Sequence, residues 1–520
     1  MKRILTVVLC LGLLLTASLP GLAADFNATG YPIVDETLTL TFVAPKAPLA
    51  PNYDEMELIQ RLEAETNVQI IWENIPEADY QTAKNLILAS GDLPDAFYKA
   101  DFTDYDLITY GQAGLIIPLE DLIEEYAPNV KALFEQRPEL RSMVTAPDGH
   151  IYSLPRAEEM GLVSTPFFLS INTTWLERLG LEMPETLEEF ANVLRAFRDQ
   201  DPNGNGIQDE IPFSFMFDWW CADIGDLFAA FGMADNSQHR IVRDGQVIFT
   251  AIQPEYREAI EYFHGWYQEG LIDPESFTQT ASQYLAKGKM DPERLGAYIW
   301  WETEEVVGPE RAADYALVGP LEGPHGHRLV GRSNNSEYNR AAFVITAVNK
   351  HPEVTMRWID RLYEPYMSAQ VTWGPLGIIY ELDENGMLVN LPLPEGVSMG
   401  EYRQRVAPTG VGVVLQEHFG TVVDMEPRAK QRLQDIEEVY APYQEAENYP
   451  MIFFSPEELE QINILEQDIL DFVNLKRATW IVDGGIEQEW ESYLNQLNRM
   501  GLQELLEIYQ TGLDRFNANQ

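Results

Sequence analysis

The sequence predicts an α/β fold, and three features of the chain support that prediction. Strand-like alternation of apolar and polar residues at 36–45 is followed by apolar residues at helical spacing in 54–66. The same strand-then-helix order repeats further along the chain, as is typical of parallel sheets covered by helices. With 520 residues, the chain is too long for one hydrophobic core and should divide into two or three domains.

The individual elements follow from the same periodicities. We expect further strands at 68–72, 96–98 and 167–171, and further helices at 80–90, 119–126 and 187–198. Thr186 is a suitable N-cap for the last of these helices. Beyond residue 400 the strand pattern fades, and we expect long helices within 415–440, 456–476 and 487–515. In folds of this class, ligands bind at the carboxyl ends of the strands.

Residues 1–24 have the features of a secretory signal, with two basic residues, a short apolar run and a small-residue end. The run is too short to cross a bilayer, so we expect cleavage, export and no membrane insertion. Cys10 follows Leu9, where a lipoprotein processing site needs a small residue, so lipid attachment is not expected. Cys221 then remains as a single thiol and cannot form an internal disulfide. The expected location is extracytoplasmic, in a periplasm, at the cell surface or in the medium.

The charge of the chain excludes two classes of partner. With 35 basic and 83 acidic residues, its formal net charge is −48. Such a surface repels phosphate backbones and anionic lipid headgroups, so neither nucleic acid nor a membrane surface is an expected partner.

An oxygen-rich loop at 201–210 reads Asp-Pro-Asn-Gly-Asn-Gly-Ile-Gln-Asp-Glu. Oxygen-bearing side chains at alternate positions around a turn-forming glycine suit a hard cation, and we predict a structural Ca²⁺. The predicted ligands are Asp201, Asn203, Asn205, Asp209, Glu210 and the backbone carbonyl of Ile207. Position 12 of an EF-hand loop would be Pro212, so a simple EF-hand sensor is not expected. The alternative is a solvated turn, because Asp, Asn and Gly favour turns for local reasons.

Six short motifs occur in a fixed order along nearly the whole chain. They are Gly-Asp-Leu-Pro-Asp-Ala-Phe at 91–97, Gly-Leu-Ile-Ile-Pro-Leu at 114–119, Asp-Gly-His-Ile-Tyr-Ser-Leu-Pro at 148–155, Asn-Thr-Thr-Trp-Leu-Glu-Arg-Leu-Gly at 172–180, Trp-Tyr-Gln-Glu-Gly-Leu-Ile-Asp at 266–273 and Trp-Ile-Val-Asp-Gly-Gly at 480–485. Together they resemble the extracellular solute-binding proteins of carbohydrate ABC transporters, a family that includes oligosaccharide- and alginate-binding members. The oxygen-rich loop lies where alginate-binding relatives carry a metal loop.

The resemblance implies a type II-like periplasmic-binding-protein fold of two α/β lobes with extra C-terminal helices. Lobe 1 would comprise 25–157 and 340–410, and lobe 2 would comprise 158–339 and 411–520. It also implies a monomer without enzymatic activity. The lobes would close about a hinge on an oligosaccharide and deliver it unaltered to an ABC permease in the membrane.

Sugars have apolar faces and hydroxyl edges, so their sites combine aromatic rings with a few directed polar groups. In each of two Trp pairs we expect one ring to face the core and the other a cleft, because neighbours in an extended segment point in opposite directions. We expect Trp373 in a loop, because chain-breaking residues follow it; Tyr98 ends a predicted strand, and two further polar residues lie near the return crossing. The predicted ligand-binding residues are Trp219, Trp220, Trp300, Trp301, Glu302, Trp373, Tyr98, Asn335 and Tyr338. The alternative is that the paired Trp residues are all core aromatics.

Two questions about the ligand remain open at this point: whether it is neutral or acidic, and whether the protein binds it or cleaves it. A neutral oligosaccharide is the first expectation, but the basic segment 325–340 could recognise an acidic sugar or could neutralise acidic surface. A secreted, calcium-stabilised glycoside hydrolase or lyase is the second functional class, since it needs only two facing carboxylates. No nucleophile elbow, zinc-protease helix or phosphate-binding glycine loop occurs. An adhesion module is disfavoured, because the chain has no internal repeat.

Overall fold

The computed structural model describes residues 26–162, 165–334, 337–444 and 447–518. The predicted signal segment at 1–24 and the predicted ligand residue Asn335 lie outside these ranges. Over the described ranges, no helix combines the length and the apolar character needed to cross a membrane.

The described residues form strands and helices in alternation. The strands are β1 (Leu38–Lys46), β2 (Val68–Pro76), β3 (Ala96–Tyr98), β4 (Leu154–Glu158), β5 (Phe168–Asn172), β6 (Ile211–Ser214), β7 (Arg240–Arg243), β8 (Gln246–Phe249), β9 (Leu295–Trp300), β10 (Tyr315–Leu317), β11 (Tyr338–Ile345), β12 (Tyr380–Leu382), β13 (Leu388–Asn390) and β14 (Val413–Val414). The α-helices are α1 (Glu57–Thr66), α2 (Glu77–Ser90), α3 (Asp104–Gln112), α4 (Glu120–Tyr126), α5 (Pro128–Gln136), α6 (Pro138–Val144), α7 (Thr173–Leu179), α8 (Leu187–Asp199), α9 (Pro254–Gln268), α10 (Ala281–Gly288), α11 (Thr303–Val307), α12 (Pro352–Asp360), α13 (Pro365–Trp373), α14 (Met399–Val406), α15 (Pro427–Asp435), α16 (Pro456–Asp483), α17 (Ile486–Arg499) and α18 (Leu502–Ala518).

Two sheets organise the fold. The first sheet has the order β14-β4-β11-β3-β1-β2, and the second has the order β10-β5-β9-β6. The sheets are mixed and not parallel throughout, because β11 runs antiparallel to both of its neighbours and β9 runs antiparallel to β5. The strand β11 returns to the first sheet from the far side of the molecule and not through a covering helix, so its direction is not fixed by a crossover. The predicted α/β class is confirmed, with mixed sheets.

Each sheet has a large hydrophobic core of its own. Phe42 of β1 and Trp358 of α12 pack edge to face in the first core, with ring centroids 5.4 Å apart. The second core contains the buried Trp175 and Trp480, and the C-terminal helices pack against it. Two sheets with separate cores make the two-lobed architecture that the sequence predicts.

Local sequence signals explain where several helices begin and end. Thr186 caps α8 as predicted, because its side chain accepts from Glu189 N while the Glu189 carboxylate accepts from Thr186 N. The expected helix at 487–515 is in fact two helices, α17 and α18, separated where Gly501 adopts φ 94°. The expected helix at 415–440 begins only at Pro427, a residue favoured in the first turn.

Three chain segments meet where the polypeptide passes between the two sheets. Glu158 N donates to the carbonyl of Glu337 at 3.1 Å, and Glu159 N donates to the carbonyl of Val414 at 3.0 Å. The strand β14 pairs in parallel with β4 in the first sheet, so that sheet extends past the expected lobe boundary at 410. These hydrogen bonds bind the three crossings into one junction.

Candidate ligand-binding cleft

A cavity of about 830 Å³ lies between elements of the two sheets. Arg156 of β4 contributes from the first sheet, and Trp301, directly after β9, contributes from the second. The aromatic side chains of the wall are Phe102, Trp220, Trp301, Tyr338, Trp373, Tyr380, Phe419, Tyr449 and Phe454. The size and the mixed lining are those of a site for a small organic ligand.

The wall of this cleft also carries many charges. Its arginines are Arg156, Arg240, Arg340, Arg403, Arg428 and Arg432, and its acidic residues are Asp104, Glu158, Glu302, Glu305, Glu337, Asp424 and Glu426. The two signs are mixed, so the lining does not select a strongly charged ligand by its overall field.

On the side of the second sheet, Glu302 fixes two of these arginines. Its carboxylate accepts a short hydrogen bond from Arg432 and lies 3.9 Å from Arg428, which also pairs with Glu304 at 2.7 Å. The guanidinium of Arg432 lies 5.2 Å from the centre of the Trp301 ring. Cation and indole therefore hold each other in place at the cleft wall.

On the side of the first sheet, Glu158 has the same function. Its carboxylate accepts from Arg156 at 2.5 Å, from Arg403 at 3.0 Å and from Nε1 of Trp373 at 2.9 Å. Burial opposes ionisation, but the two guanidinium groups outweigh it and lower the pKa of Glu158 to about 2. The charged network therefore keeps its form across the physiological pH range.

Some polar atoms of the cleft wall have no partner in the described protein. They are Nε of Arg240 and Oδ1 of Asn390, both buried and without a hydrogen bond. Nη1 of Arg340, in contrast, is paired with Asp104 at 3.3 Å, and the guanidinium of Arg340 stacks on Phe453 at 4.3 Å. Buried polar atoms seldom remain unsatisfied, so the atoms of Arg240 and Asn390 are available to ligand hydroxyl groups.

The predicted aromatic residues are distributed between cleft and core. The pair at 300–301 divides as expected, because Trp300 is 5% exposed and packs in the core while Trp301 lines the cleft. The pair at 219–220 does not divide, since the two rings are 38% and 41% exposed. Of this pair, only Trp220 lines the large cleft.

Three further predicted residues have different outcomes. Trp373 lines the cleft, but it is the last residue of α13 and is 8% exposed, so the expectation of a loop position is wrong. Tyr98 is wrongly placed by sequence reasoning, because its ring is fully buried against Trp72 at 5.3 Å and Tyr53 at 5.8 Å. All three residues of β3 are buried, because the strand lies inside the first sheet between β11 and β1, so its last residue does not reach the cleft.

Tyr338 does line the cleft, at the start of β11. Its hydroxyl donates to Glu159 at 2.5 Å and accepts from Arg137 at 3.2 Å. Burial, reinforced by the carboxylate of Glu159, raises the pKa of Tyr338 to about 12. Tyr338 therefore belongs both to the cleft wall and to the junction of the crossing segments.

Sequence reasoning missed most of the cleft arginines, because each stands in an ordinary polar context. Within the basic segment 325–340, Arg340 reaches the cleft, whereas Arg328 lies near Glu185 and Glu322, and His325 pairs with Glu258 at 2.7 Å. Whether a basic residue reaches the cleft or pairs with an acidic residue elsewhere depends on contacts between distant parts of the chain. Such contacts leave no pattern in a single sequence.

The oxygen-rich loop is folded by its own side chains. The carboxylate of Asp201 accepts from Asn205 N at 3.1 Å and from Gly206 N at 3.0 Å. Asp209 accepts from the Asn205 side-chain amide at 3.0 Å and pairs with Arg294 at 3.0 Å. Ile207 is 60% exposed, and its N–H donates to Oδ1 of Asn205 at 2.6 Å. The predicted ligands are thus gathered in one compact turn.

The side chain of Glu210 indicates that this loop can bind a cation. Both of its carboxyl oxygens are buried without a hydrogen-bond partner, and burial together with the nearby charges of Asp201 and Asp209 raises its pKa. An uncompensated buried carboxylate is unfavourable, and a hard cation would relieve it. In the described part of the chain, no three His, Cys, Asp or Glu side chains are arranged to hold a metal, so amide oxygens such as that of Asn203 would have to complete the set.

Two α/β lobes with an aromatic and charged cleft between their sheets define a protein that encloses a small ligand between two domains. The family model for bacterial extracellular solute-binding proteins matches residues 47–365. The chain belongs to the bacterial extracellular solute-binding protein family.

Known relatives agree with this assignment. The chain is 41% identical, over 98% of both chains, to the fructooligosaccharide ABC transporter substrate-binding protein FusA of Streptococcus pneumoniae. The structure of FusA in complex with kestose matches with a TM-score of 0.88 and 41% identity, over 93% of this chain and all of the other. An HMO-binding, ABC-transporter-associated solute-binding protein of Bifidobacterium longum infantis matches with a TM-score of 0.81 and 25% identity, over 93% and 99% of the two chains. These relatives are binding proteins, so the expectation that the chain is not an enzyme is confirmed and the hydrolase alternative is set aside.

Proposed function

We propose that this protein captures a neutral oligosaccharide in the cleft and delivers it unaltered to an ABC permease. The observation that supports this most is the cleft wall itself, because Trp301, Trp373 and Trp220 line the same cavity as arginines already fixed by carboxylates. Rings of this kind accept the apolar faces of sugars, and the fixed guanidinium groups direct hydrogen bonds to their hydroxyl edges. Because FusA is named for fructooligosaccharides, short fructose-containing oligosaccharides are the first ligands to test.

The mixed charge of the wall favours a neutral sugar over a uronate. Arg432, Arg403 and Arg156 already have carboxylate partners, so a ligand carboxylate would have to displace Glu302 or Glu158. The desolvation of a second anion beside these groups would oppose binding. The acidic-sugar alternative is therefore secondary.

Calorimetry with kestose tests this function. We expect saturable 1:1 binding, with the sugar recovered intact by chromatography after incubation. A polygalacturonate oligomer serves as the acidic comparison and should bind more weakly. Cleavage of kestose, or the absence of binding across a panel of neutral oligosaccharides, would contradict the proposal.

The mechanism that we propose is a shift between open and closed lobes. A sugar that contacts both lobes stabilises the closed form, and the closed form is the one that a permease would recognise. The junction of the three crossing segments, at Glu158, Glu337 and Val414, is the proposed hinge. In this scheme the protein acts as a monomer outside the cytoplasm, with lobe boundaries near 157 and 340 and a last boundary beyond β14, which belongs to the first sheet.

We also propose that the oxygen-rich loop binds a structural Ca²⁺. The unpartnered carboxylate of Glu210 supports this, together with the oxygen donors of Asp201, Asn203, Asn205, Asp209 and the Ile207 carbonyl. FusA has also been solved as an EF-hand mutant in complex with fructo-nystose. The ion would supply charge compensation to the loop and would take no part in sugar binding.

A further inference from the structure

A much smaller cavity, of about 20 Å³, lies beside the 219–220 tryptophan pair. Trp220 belongs to the walls of both this cavity and the large cleft. The volume admits one water-sized group and no more. The rest of the wall carries Asp218, Asp223, Asp226 and Arg477.

Most of the charges around this cavity are occupied. Asp223 forms a two-pronged ion pair with Arg477, at 2.8 and 3.0 Å, and also accepts from Gly225 N at 2.7 Å. Asp235 accepts from His239 at 2.9 Å. These carboxylates have their hydrogen-bonding capacity used within the protein.

Asp226 differs from them. Its Oδ1 is buried and has no hydrogen-bond partner, although it lies in the wall of the cavity. Burial, with the neighbouring charge of Asp223, raises the pKa of Asp226 well above its usual range. A buried oxygen of this kind requires a partner. In the described part of the chain no group of acidic side chains is arranged to hold a metal, so a cation is not the partner that the geometry suggests.

Two glycines keep the space around these side chains open. A Cβ on Gly331 would lie 3.1 Å from Oδ1 of Asp226 and 2.8 Å from the carbonyl of Asp235. A Cβ on Gly225 would lie 2.8 Å from Nη1 of Arg477. Any larger residue at either position would press on the wall of the cavity.

The tryptophan pair is held rigidly beside this cavity. Asp218 adopts a left-handed conformation with φ 55°, and its N–H donates to the same Asp223 that pairs with Arg477. The turn is closed by a hydrogen bond from Met216 N to the carbonyl of Ala222 at 2.9 Å. A strained, fixed turn that leaves two indoles exposed is more typical of a binding surface than of a core.

We propose that a sugar ring stacked on Trp219 or Trp220 places one hydroxyl or hydroxymethyl group in this cavity, where it hydrogen-bonds Asp226. Asp226 is then a specificity-determining residue that selects oligosaccharides by a single hydroxyl group. The inference rests on the proposed function, because it assumes that the large cleft binds an oligosaccharide and adds a site for one substituent of it.

The test measures the affinity for kestose and for a series of monodeoxy kestoses by calorimetry. Asp226→Ala is expected to weaken kestose binding about tenfold, and Asp226→Asn by less, since an amide can still hydrogen-bond. One monodeoxy analogue should bind the unchanged protein about tenfold more weakly than kestose, and Asp226→Ala should add no further loss with it. Asp360→Ala, at another buried carboxyl bonded to Asn129, is the control and should lower the melting temperature without changing affinity.

Each other outcome counts against the inference in a distinct way. If Asp226→Ala and Asp226→Asn leave kestose affinity unchanged, the cavity holds only a water molecule and the inference is wrong while the proposed function stands. If Asp226→Ala weakens the affinity for kestose and for every analogue by the same factor, Asp226 supports the fold and does not hydrogen-bond a ligand hydroxyl group. If the unchanged protein binds no oligosaccharide, the proposed function fails and the inference falls with it. Asp226→Asn keeps the test valid if the alanine variant does not fold.

Discussion

Trp300 and Trp301 are chain neighbours in opposite surroundings, and this contrast gives the first prediction. Trp301→Ala is expected to weaken oligosaccharide binding about tenfold with a small change in melting temperature, because a stacked ring at the cleft wall is lost. Trp300→Ala is the matched control, and removal of a buried indole should destabilise the protein by about 3–5 kcal/mol. Calorimetry and thermal melting separate the two effects. Equal losses of affinity in the two folded variants would contradict the assignment.

Glu337 gives the second residue-scale prediction, on pH. It accepts from Met160 N at 2.7 Å in the junction, but burial raises its pKa to about 7. Between about pH 4.5 and 7 the folded protein holds a proton that the unfolded chain has lost, so stability falls as pH rises through this window. The size of the effect is about 3 kcal/mol at most.

Urea denaturation of the ligand-free protein at pH 5 and pH 8 measures this effect. Glu337→Gln cannot ionise, so the variant should lose less stability than the unchanged protein between the two pH values. Glu269→Gln is a useful contrast, because hydrogen bonds from Arg195 lower the pKa of Glu269 and its removal should leave the slope over this window unchanged. Parallel pH profiles for Glu337→Gln and the unchanged protein would show that Glu337 titrates normally.

Among the elements, periodicity and capping predicted the fold well, while long-range pairing remained invisible. The strand at 96–98 and the cap at Thr186 follow from local sequence and are found as expected. The antiparallel direction of β11 depends on where the chain re-enters the sheet, which no local pattern encodes. The same limit applies to the site, because the Arg432–Glu302 contact joins residues 130 positions apart.

The oxygen-rich loop gives the prediction at the scale of an element. Chelation should lower the melting temperature of the protein and leave sugar affinity nearly unchanged, because the loop is closed by its own side chains and by Arg294. A Glu210→Gln variant should change the melting temperature in opposite directions relative to the unchanged protein, depending on whether Ca²⁺ is present. In chelator the variant should melt above the unchanged protein, since a buried uncompensated carboxylate has been removed, whereas added Ca²⁺ should stabilise it less.

Asp199→Asn is the control for this experiment, because Asp199 lies just before the loop and pairs with Arg198. It should respond to chelation as the unchanged protein does. If chelation abolished sugar binding without lowering the melting temperature, the structural role proposed for the ion would be wrong.

At the scale of the whole molecule, two lobes with large cores share a cleft of charged pairs. They meet at the junction of the crossing segments and where Ile108 of α3 packs in the second core. The cores contain large buried aromatics such as Trp358 and Trp480, so each lobe can move as a rigid unit. The crossings at Glu158 and Glu337 are single extended segments, joined to each other and to Val414 by the backbone hydrogen bonds of Glu158 and Glu159. Rigid lobes joined by a few extended segments are suited to hinge closure over a ligand.

Small-angle X-ray scattering of the protein with and without saturating kestose tests the central claim most directly. The claim is that an oligosaccharide bridges the two lobes and holds them together. We predict a smaller radius of gyration with the sugar. At a kestose concentration equal to the dissociation constant of the unchanged protein, a Trp301→Ala variant should show much less of this decrease, because a tenfold weaker affinity leaves only about one tenth of it bound. A radius of gyration that stays constant at saturation with kestose and with the other neutral oligosaccharides that bind would contradict the account.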